Sequence, residues 1–424
     1  MPVTLRHFGA TDEGGAGEAY HSGVFGMTGS GKSGLAAYLI ATYLRRPELG
    51  VIIIDPQGQF FAERQLPFSL GEFAELIGRR VNRYAIAQDI RLPQSAPLLI
   101  ELLALTSVVG KTISIHTKDK RVAVADEFER ILKRTKGWPE ADADEVLREM
   151  FRKLAEDQQA LERVYSGKEQ RERLANTLSS LVNDPDQFQI AAEEFRPIHS
   201  LFAPSNMDGG KRIHLLTVLE EILNPQSRDR PLVILDFSRR GEGAFETELL
   251  ETTPVKARLL HRVCSTLNRR AEGLFREDRG LNVLVVFDEA HRFAAESSDD
   301  EQAAHLANRL VDYVRTTRKF GLGWMFITQE IGSLKRSIFS QLRARCFGYG
   351  LTSGTELSRL QEVVGDKSAV DLYKSFVDPG AVRPREFPFM LTGPISPLSF
   401  TGAPLFLSVY TDHEAFLKAN EIAP

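Results

Sequence analysis

Four short stretches of the chain are apolar at nearly every position: 50–55 (GVIIID), 231–236 (PLVILD), 281–288 (LNVLVVFD) and 323–329 (GWMFITQ). A strand wetted on one face alternates apolar and polar residues, so unbroken runs of this length predict strands covered on both sides. The first three end on an acid and the fourth on an amide. In a doubly wound sheet the carboxyl ends of the strands line one edge, which predicts that these polar tips converge on a site. Val24 and Phe25 predict a further strand and 35–44 a helix, with glycines between them.

From about 117 to 200 the period changes. The stretch 142–165, DADEVLREMFRKLAEDQQALERVY, has apolar residues every three to four positions, the spacing of amphipathic helices. These observations predict an α/β protein, a mostly parallel central sheet flanked by helices, with an α-helical insertion over 118–199 that separates core segments 1–117 and 200–377. The charged helix faces of the insertion are either simply solvated or a partner surface. Over 378–424 prolines and glycines accumulate among large apolar residues. That composition predicts an extended tail crossing a surface of its own domain or of a neighbour. No internal repeat or low-complexity tract is visible.

Composition narrows the classes. A chain of 424 residues allows two or three domains, and 42% hydrophobic content is that of a globular protein with a sizeable core. Charged residues make up 26% with a net charge of −4, so any basic, nucleic-acid-binding surface must be local. Two cysteines, Cys264 and Cys346, are too few for a disulfide framework or a four-ligand zinc site and fit a reducing cytosol. No apolar run approaches the roughly 20 residues that span a bilayer, and positions 1–17 carry acids and glycines where a signal peptide needs bases and then an apolar run. The expectation is a soluble cytoplasmic protein with no membrane segment.

The chemistry is carried by GMTGSGKS, in which Gly26, Gly31, Lys32 and Ser33 complete G-x-x-x-x-G-K-[ST] between a strand and a helix. The backbone from Thr28 through Gly29, Ser30, Gly31 and Lys32 to Ser33 can cradle phosphates at the helix start, with Gly34 continuing the turn. Lys32 adds charge at the β/γ oxygens, and Ser33 offers a hydroxyl to Mg²⁺. These residues predict an ATP site. In LVVFDEAH, Asp288 stands at a strand tip where it can hold a magnesium shell, and Glu289 beside it can polarise a water; an acidic pair there can also merely cap a helix. His291 reads as a packing or orienting residue. Gln329 ends an apolar strand, where its amide could sense the γ-phosphate or hold the lytic water. Arg315 and Arg318 precede it on a helix and are either a solvated helix end or an arginine finger contributed to a neighbouring subunit, which requires an oligomer. Lys335 and Arg336, in GSLKRSIF, could sit on a loop that reaches DNA or could begin a helix with solvated bases. Contacts from them to phosphate would carry no base information, so sequence-independent binding is expected.

Taken in order, GMTGSGKS, IIIDPQGQF, VVFDEAHRFA and TRKFGLGWMFITQ, separated by a helical insertion, resemble the HerA branch of the HerA/FtsK superfamily of DNA-pumping ATPases over roughly 20–370. The resemblance implies a RecA-like P-loop core and a homo-hexameric ring with ATP between subunits. It also implies double-stranded DNA in the central channel, as in a translocase or helicase-type motor. It makes Lys32 and Ser33 the phosphate-loop pair, Asp55 the acid after the second strand, and Asp288 and Glu289 the magnesium and hydrolysis acids. Gln329 becomes the sensor, and Arg318 or Arg315 the trans-acting arginine. One departure stands out: about two dozen residues precede Gly26, too few for the small β-barrel with which archaeal-type relatives dock a nuclease. Bacterial relatives work beside an effector such as a nuclease or an NAD-consuming enzyme in anti-phage defence, and the resemblance extends that expectation here. The alternative is a ring held together by ATP that organises an effector with little DNA movement. A secretion or conjugation ATPase would predict a membrane anchor.

Overall fold

The computed structural model describes residues 11, 17–64, 66–105, 108–205, 209–224, 229–238, 252–395, 402–410 and 412–422. Most of the segment read above for a signal peptide lies outside these residues, as do positions 396–401 of the tail. Among the described residues the strands are β1 (Ser22–Phe25), β2 (Gly50–Asp55), β3 (Val81–Ala85), β4 (Ile90–Arg91), β5 (Ile213–His214), β6 (Leu232–Asp236), β7 (Val283–Phe287), β8 (Leu322–Thr328), β9 (Ala344–Gly348), β10 (Phe387–Thr392) and β11 (Leu405–Val409). The predicted strands therefore lie where expected, with ends shifted by a residue or two.

The chain divides into two compact units. One holds the described residues of Met1–Tyr84, Leu219–Ser238 and Leu260–Pro424, and the other those of Ala85–Val218 and Arg239–Leu259. In the first unit nine strands form one sheet in the order β11-β10-β9-β1-β8-β7-β2-β6-β3. The run from β9 to β6 is parallel throughout. Val24 pairs with Ile327 and Ile53 with Val286, so the apolar positions of neighbouring strands stand in line. Every residue of β1, β2, β6, β7 and β8 is buried. Helices cover both faces, which is why these strands are written without polar alternation. Against one face the helix Lys32–Leu44 buries Leu35, Ile40 and Leu44 beside Val24, Ile53, Ile234, Val286 and Ile327.

The second unit begins at Ala85, well before the expected start of the insertion at 118, and runs to Val218. The reason is Ala96–Leu105, an almost wholly apolar helix that packs on Lys118–Arg134. The returning segment is tied in by an ion pair of Arg258 with Glu101 at 2.9 Å. Asp142, Asp157 and Asp184 each cap a helix by accepting a backbone N–H, so the closely spaced acids of this region set helix starts. The tail supplies two further strands. Phe387–Thr392 pairs antiparallel with β9, and Leu405–Val409 with β10, so both join the sheet as its edge strands.

His21, just before β1, links three elements of the first unit. Its Nε2 lies 2.8 Å from the Val314 carbonyl near the end of the helix Glu301–Thr316, and its Nδ1 accepts from the Trp324 N–H of β8 at 3.3 Å. The ring is thus held neutral with its proton on Nε2. Burial is the main cause that lowers its pKa to about 4, the Val314 bond opposes this, and the charge of Arg318 adds to it. An unfolded histidine takes its proton near pH 6.5, whereas the folded ring resists until about 4. The folded state is therefore fully favoured above 6.5 and loses roughly 3 kcal/mol as pH falls through that window. Urea unfolding between pH 7 and 4 should show this loss, and His21→Gln should flatten that part of the profile.

Candidate nucleotide site

β1 ends at Phe25 and the chain turns through three glycines of positive φ, Gly26 at 153°, Gly29 at 83° and Gly31 at 87°. Gly31 is the N-cap of the helix Lys32–Leu44, and no side chain caps that helix. Its first N–H groups are therefore available to an anion, and the helix dipole favours negative charge there. A Cβ on Gly31 would stand 2.7 Å from the ring of Phe387, so the loop needs glycine here for space as well as for φ. Gly29, by contrast, has nothing within 4 Å of such an atom.

The loop is tied to the strand tips by side chains. Lys32 Nζ donates to the Met27 carbonyl at 2.9 Å, curling back over the loop. Burial lowers its pKa, while the charges of Glu289 and Asp288 hold it up. Ser33 donates to Gln59 Oε1 at 2.9 Å. Asp55, at the tip of β2, accepts the backbone N–H of Gln59 at 3.0 Å and of Phe61 at 2.8 Å. It shapes the turn that carries Gln59.

Asp288 and Glu289 follow β7. Glu289 adopts the left-handed conformation, φ 46° and ψ 44°, which costs a residue with a Cβ about 1 kcal/mol or more. That turn aims its carboxylate at Gln329, whose Nε2 lies 3.4 Å from both Glu289 oxygens, and at His291, whose Nδ1 lies 3.2 Å from one of them. The Gln329 carbonyl oxygen in turn accepts from the Thr28 hydroxyl at 3.2 Å. The chain Thr28–Gln329–Glu289 thus joins the phosphate loop to the acid. Asp288 is buried, and its Oδ2 has no hydrogen-bond partner. Burial, with the charges of Asp55 and Glu289 adding to it, pushes its pKa up to about 8. A buried carboxylate oxygen without a donor suits a cation, and the Ser33 oxygen, already donating to Gln59, keeps its lone pairs for one. Among the described residues no cluster of three or more His, Cys, Asp or Glu could hold a metal by itself, so such an ion would also need the phosphate oxygens of a nucleotide.

These groups border a cavity of about 600 Å³, within the range of small-molecule sites. Thr28, Gly29, Gly31, Lys32, Ser33 and Gly34 line it. So do Asp288, Glu289 and Gln329. Gly26 and Ser30 shape the loop from beneath: a Cβ on Gly26 would lie 2.6 Å from Ser30 Oγ and 3.2 Å from the Gly348 Cα. Asp55, expected among the nucleotide-binding residues, does not line the cavity; it is fully buried beneath the turn whose N–H groups it accepts. Five residues on the wall went unassigned from the sequence: Gln57, Gln59, Arg64, Arg385 and Phe387. The first two lie within IIIDPQGQF and were open to notice as polar residues just past a strand tip. Arg385 and Phe387 lie more than 300 residues from the loop they face, and nothing local marks them.

The remaining candidates lie elsewhere. Arg315 and Arg318 precede the amino end of β8, while Gln329 follows its carboxyl end. A seven-residue strand, about 20 Å, thus separates them from their own chain's cavity. Arg318 pairs with Glu18 at 3.0 Å, whereas Arg315 is exposed. Lys335 is the N-cap of a short helix, Arg336–Phe339. The Arg336 guanidinium pairs with Glu362 at 3.2 Å and its backbone N–H donates to Glu296 at 2.7 Å. Among the described residues no helix is long and apolar enough to cross a membrane.

A mostly parallel sheet whose first strand runs into a glycine-rich phosphate loop, with an acidic pair just past the end of β7, two strands away, defines a P-loop ATPase. Residues 19–251 match the family described as Helicase HerA, central domain, and this chain belongs to that family. Asp288, Glu289 and Gln329 lie beyond the matched segment. No curated protein matches the sequence. Among solved structures, VirB4 of Thermoanaerobacter pseudethanolicus is similar at 15% identity and a TM-score of 0.43, over 92% of this chain and 89% of that one. The genome packaging NTPase B204 from Sulfolobus turreted icosahedral virus 2, in complex with AMPPCP, is similar at 9% identity and a TM-score of 0.37, over 92% and 96%.

The two positive-φ glycines that line the cavity give a test. Gly31→Ala forces both an unfavourable φ and a clash with Phe387, and should weaken nucleotide binding by about tenfold or more. Gly29→Ala meets only the φ cost and should weaken it less, both read by titration with a fluorescent ATP analogue.

Proposed function

We propose that the chain is the subunit of an ATP-driven motor that hydrolyses ATP at subunit interfaces of a homo-hexameric ring and moves duplex DNA without regard to sequence. On this reading it acts beside an effector such as a nuclease or an NAD-consuming enzyme. The observation that supports hydrolysis is the Thr28–Gln329–Glu289 chain: a phosphate-loop hydroxyl, an amide and a carboxylate meet at one end of one cavity. Glu289 takes the proton of the attacking water, and Gln329 holds that carboxylate in register with the γ-phosphate. Lys32 leaves the Met27 carbonyl to meet the phosphates, for which its charge is better matched. Ser33 and Asp288 would hold a magnesium ion, which screens phosphate charge when bound.

The trans-acting group on this reading is Arg315. It is exposed, and it is as far from its own chain's site as Arg318, yet no acid of its own chain pairs with it among the described residues, whereas Arg318 is held by Glu18. The membership in the HerA family supports the DNA part, and Lys335, half-exposed at the start of its short helix, is the better of the two candidate phosphate contacts because Arg336 already has an acid.

Glu289→Gln should keep nucleotide binding and lose turnover by about 10²-fold or more, and turnover at the wild-type rate would remove Glu289 from the hydrolytic role. Arg315→Ala should lower turnover by about 10³-fold in particles of unchanged size by light scattering, with Arg318→Ala the weaker change. Linear duplex DNA should raise the ATPase rate of the wild-type assembly. An assembled ring whose rate ignores DNA is instead the result expected of an ATP-held scaffold for a partner enzyme.

A further inference from the structure

The cavity has a second wall that the motor reading leaves unused, and it comes from the last part of the chain. β10 is antiparallel to β9, so it begins at the edge where the parallel strands end. The residues leading into it are thereby delivered to the phosphate loop. Positions two apart on an extended chain face the same way. Arg385 and Phe387 both line the cavity, and Glu386 between them does not. Phe387 lies so close to Gly31 that a Cβ there would be 2.7 Å from its ring. Arg385 is exposed, and it has no hydrogen bond or ion pair among the described residues. A guanidinium at the mouth of an anion-binding cavity, paired with no acid among the described residues, is open to a phosphate at little desolvation cost.

Which part of a nucleotide it meets follows from the order of elements along the edge. β1 carries the phosphate loop; β8 and β7, with Gln329 and Glu289, lie to one side of it, and β9 and β10 to the other. The hydrolytic end of the cavity is marked by Thr28, which bonds Gln329. Phe387 instead covers Gly31, at the start of the helix Lys32–Leu44. We infer that Arg385, backed by Phe387, is a nucleotide-binding residue supplied by the same chain, and that it holds the nucleoside diphosphate portion that ATP and ADP share. The inference rests on the cavity being the nucleotide site of the proposed motor.

The test uses the full chain and two probes, a fluorescent ADP and a fluorescent non-hydrolysable ATP analogue, titrated against wild type, Arg385→Ala and Arg385→Lys. Loss of a charge-assisted contact should raise both dissociation constants of Arg385→Ala by about tenfold to a hundredfold, with the lysine variant between. The two increases should agree within about threefold, since one contact serves both ligands, and the turnover defect should fall on KM more than on kcat. The thermal midpoint of each variant should match wild type, because the side chain it alters has no hydrogen bond or ion pair among the described residues. Weakening confined to the ATP analogue would overturn the inference by placing Arg385 at the γ-phosphate. Unchanged affinity for both probes would overturn it while leaving the cavity as a nucleotide site. Failure of the wild-type chain to bind either probe would take down this inference and the motor together.

Discussion

Six parallel strands end along one edge of the sheet, and a chain leaving a buried strand must satisfy its polar groups within a residue or two of that edge. Here side chains help to meet this constraint. Asp55 takes the N–H groups of its own outgoing turn, Gln329 is held between Thr28 and Glu289, and Tyr373 donates to the Gly348 carbonyl at the end of β9 at 2.6 Å while accepting the Leu351 N–H at 3.0 Å. The bonds of Asp55 and Gln329 fix loops that border the cavity. The site is therefore a by-product of how the strands stop, and its precision is inherited from a fully buried sheet.

Asp288 is left out of that settlement. Its neighbours in sequence are accounted for: the Asp288 N–H itself reaches the Ile54 carbonyl at 3.1 Å, and Glu289 has Gln329 and His291. Its own Oδ2 is buried with nothing to accept. Such an oxygen is costly in a folded protein, and proteins keep such costs chiefly where a ligand relieves them. The strained backbone of Glu289, the next residue, points the same way.

Much of this was legible beforehand, and for identifiable reasons. The runs at 50–55 and 281–288 are long and apolar enough that only a doubly covered strand explains them, and their acidic ends forecast the convergence that the structure shows for Asp288 and Glu289. The phosphate loop is local and announces itself by spacing. What could not be read depends on tertiary direction. ARCFG, the sequence of β9, is short and broken by Arg345, and its neighbour FPFMLT follows a proline-rich stretch that reads as loop. The antiparallel turn of β10 is a property of pairing, invisible in the residues themselves, and Arg385 and Phe387 went unnoticed with it. Asp55 stands at a strand tip as its sequence position suggests, and what the sequence hides is that each of its oxygens also accepts an N–H from the outgoing turn.

Synthesis imposes a schedule on this architecture. β1, which precedes the other described strands in the chain, has β8 and β9 as its two neighbours, and β2 has β6 and β7. All four partners are translated after the whole of Ala85–Val218, so the opening segment waits unpaired while a second compact body emerges between it and its mates. Closure of distant segments is slow because chain entropy is spent before contacts repay it. The nascent polypeptide thus spends most of its translation with two apolar edges exposed, a natural clientele for chaperones and a point at which premature termination yields sticky fragments.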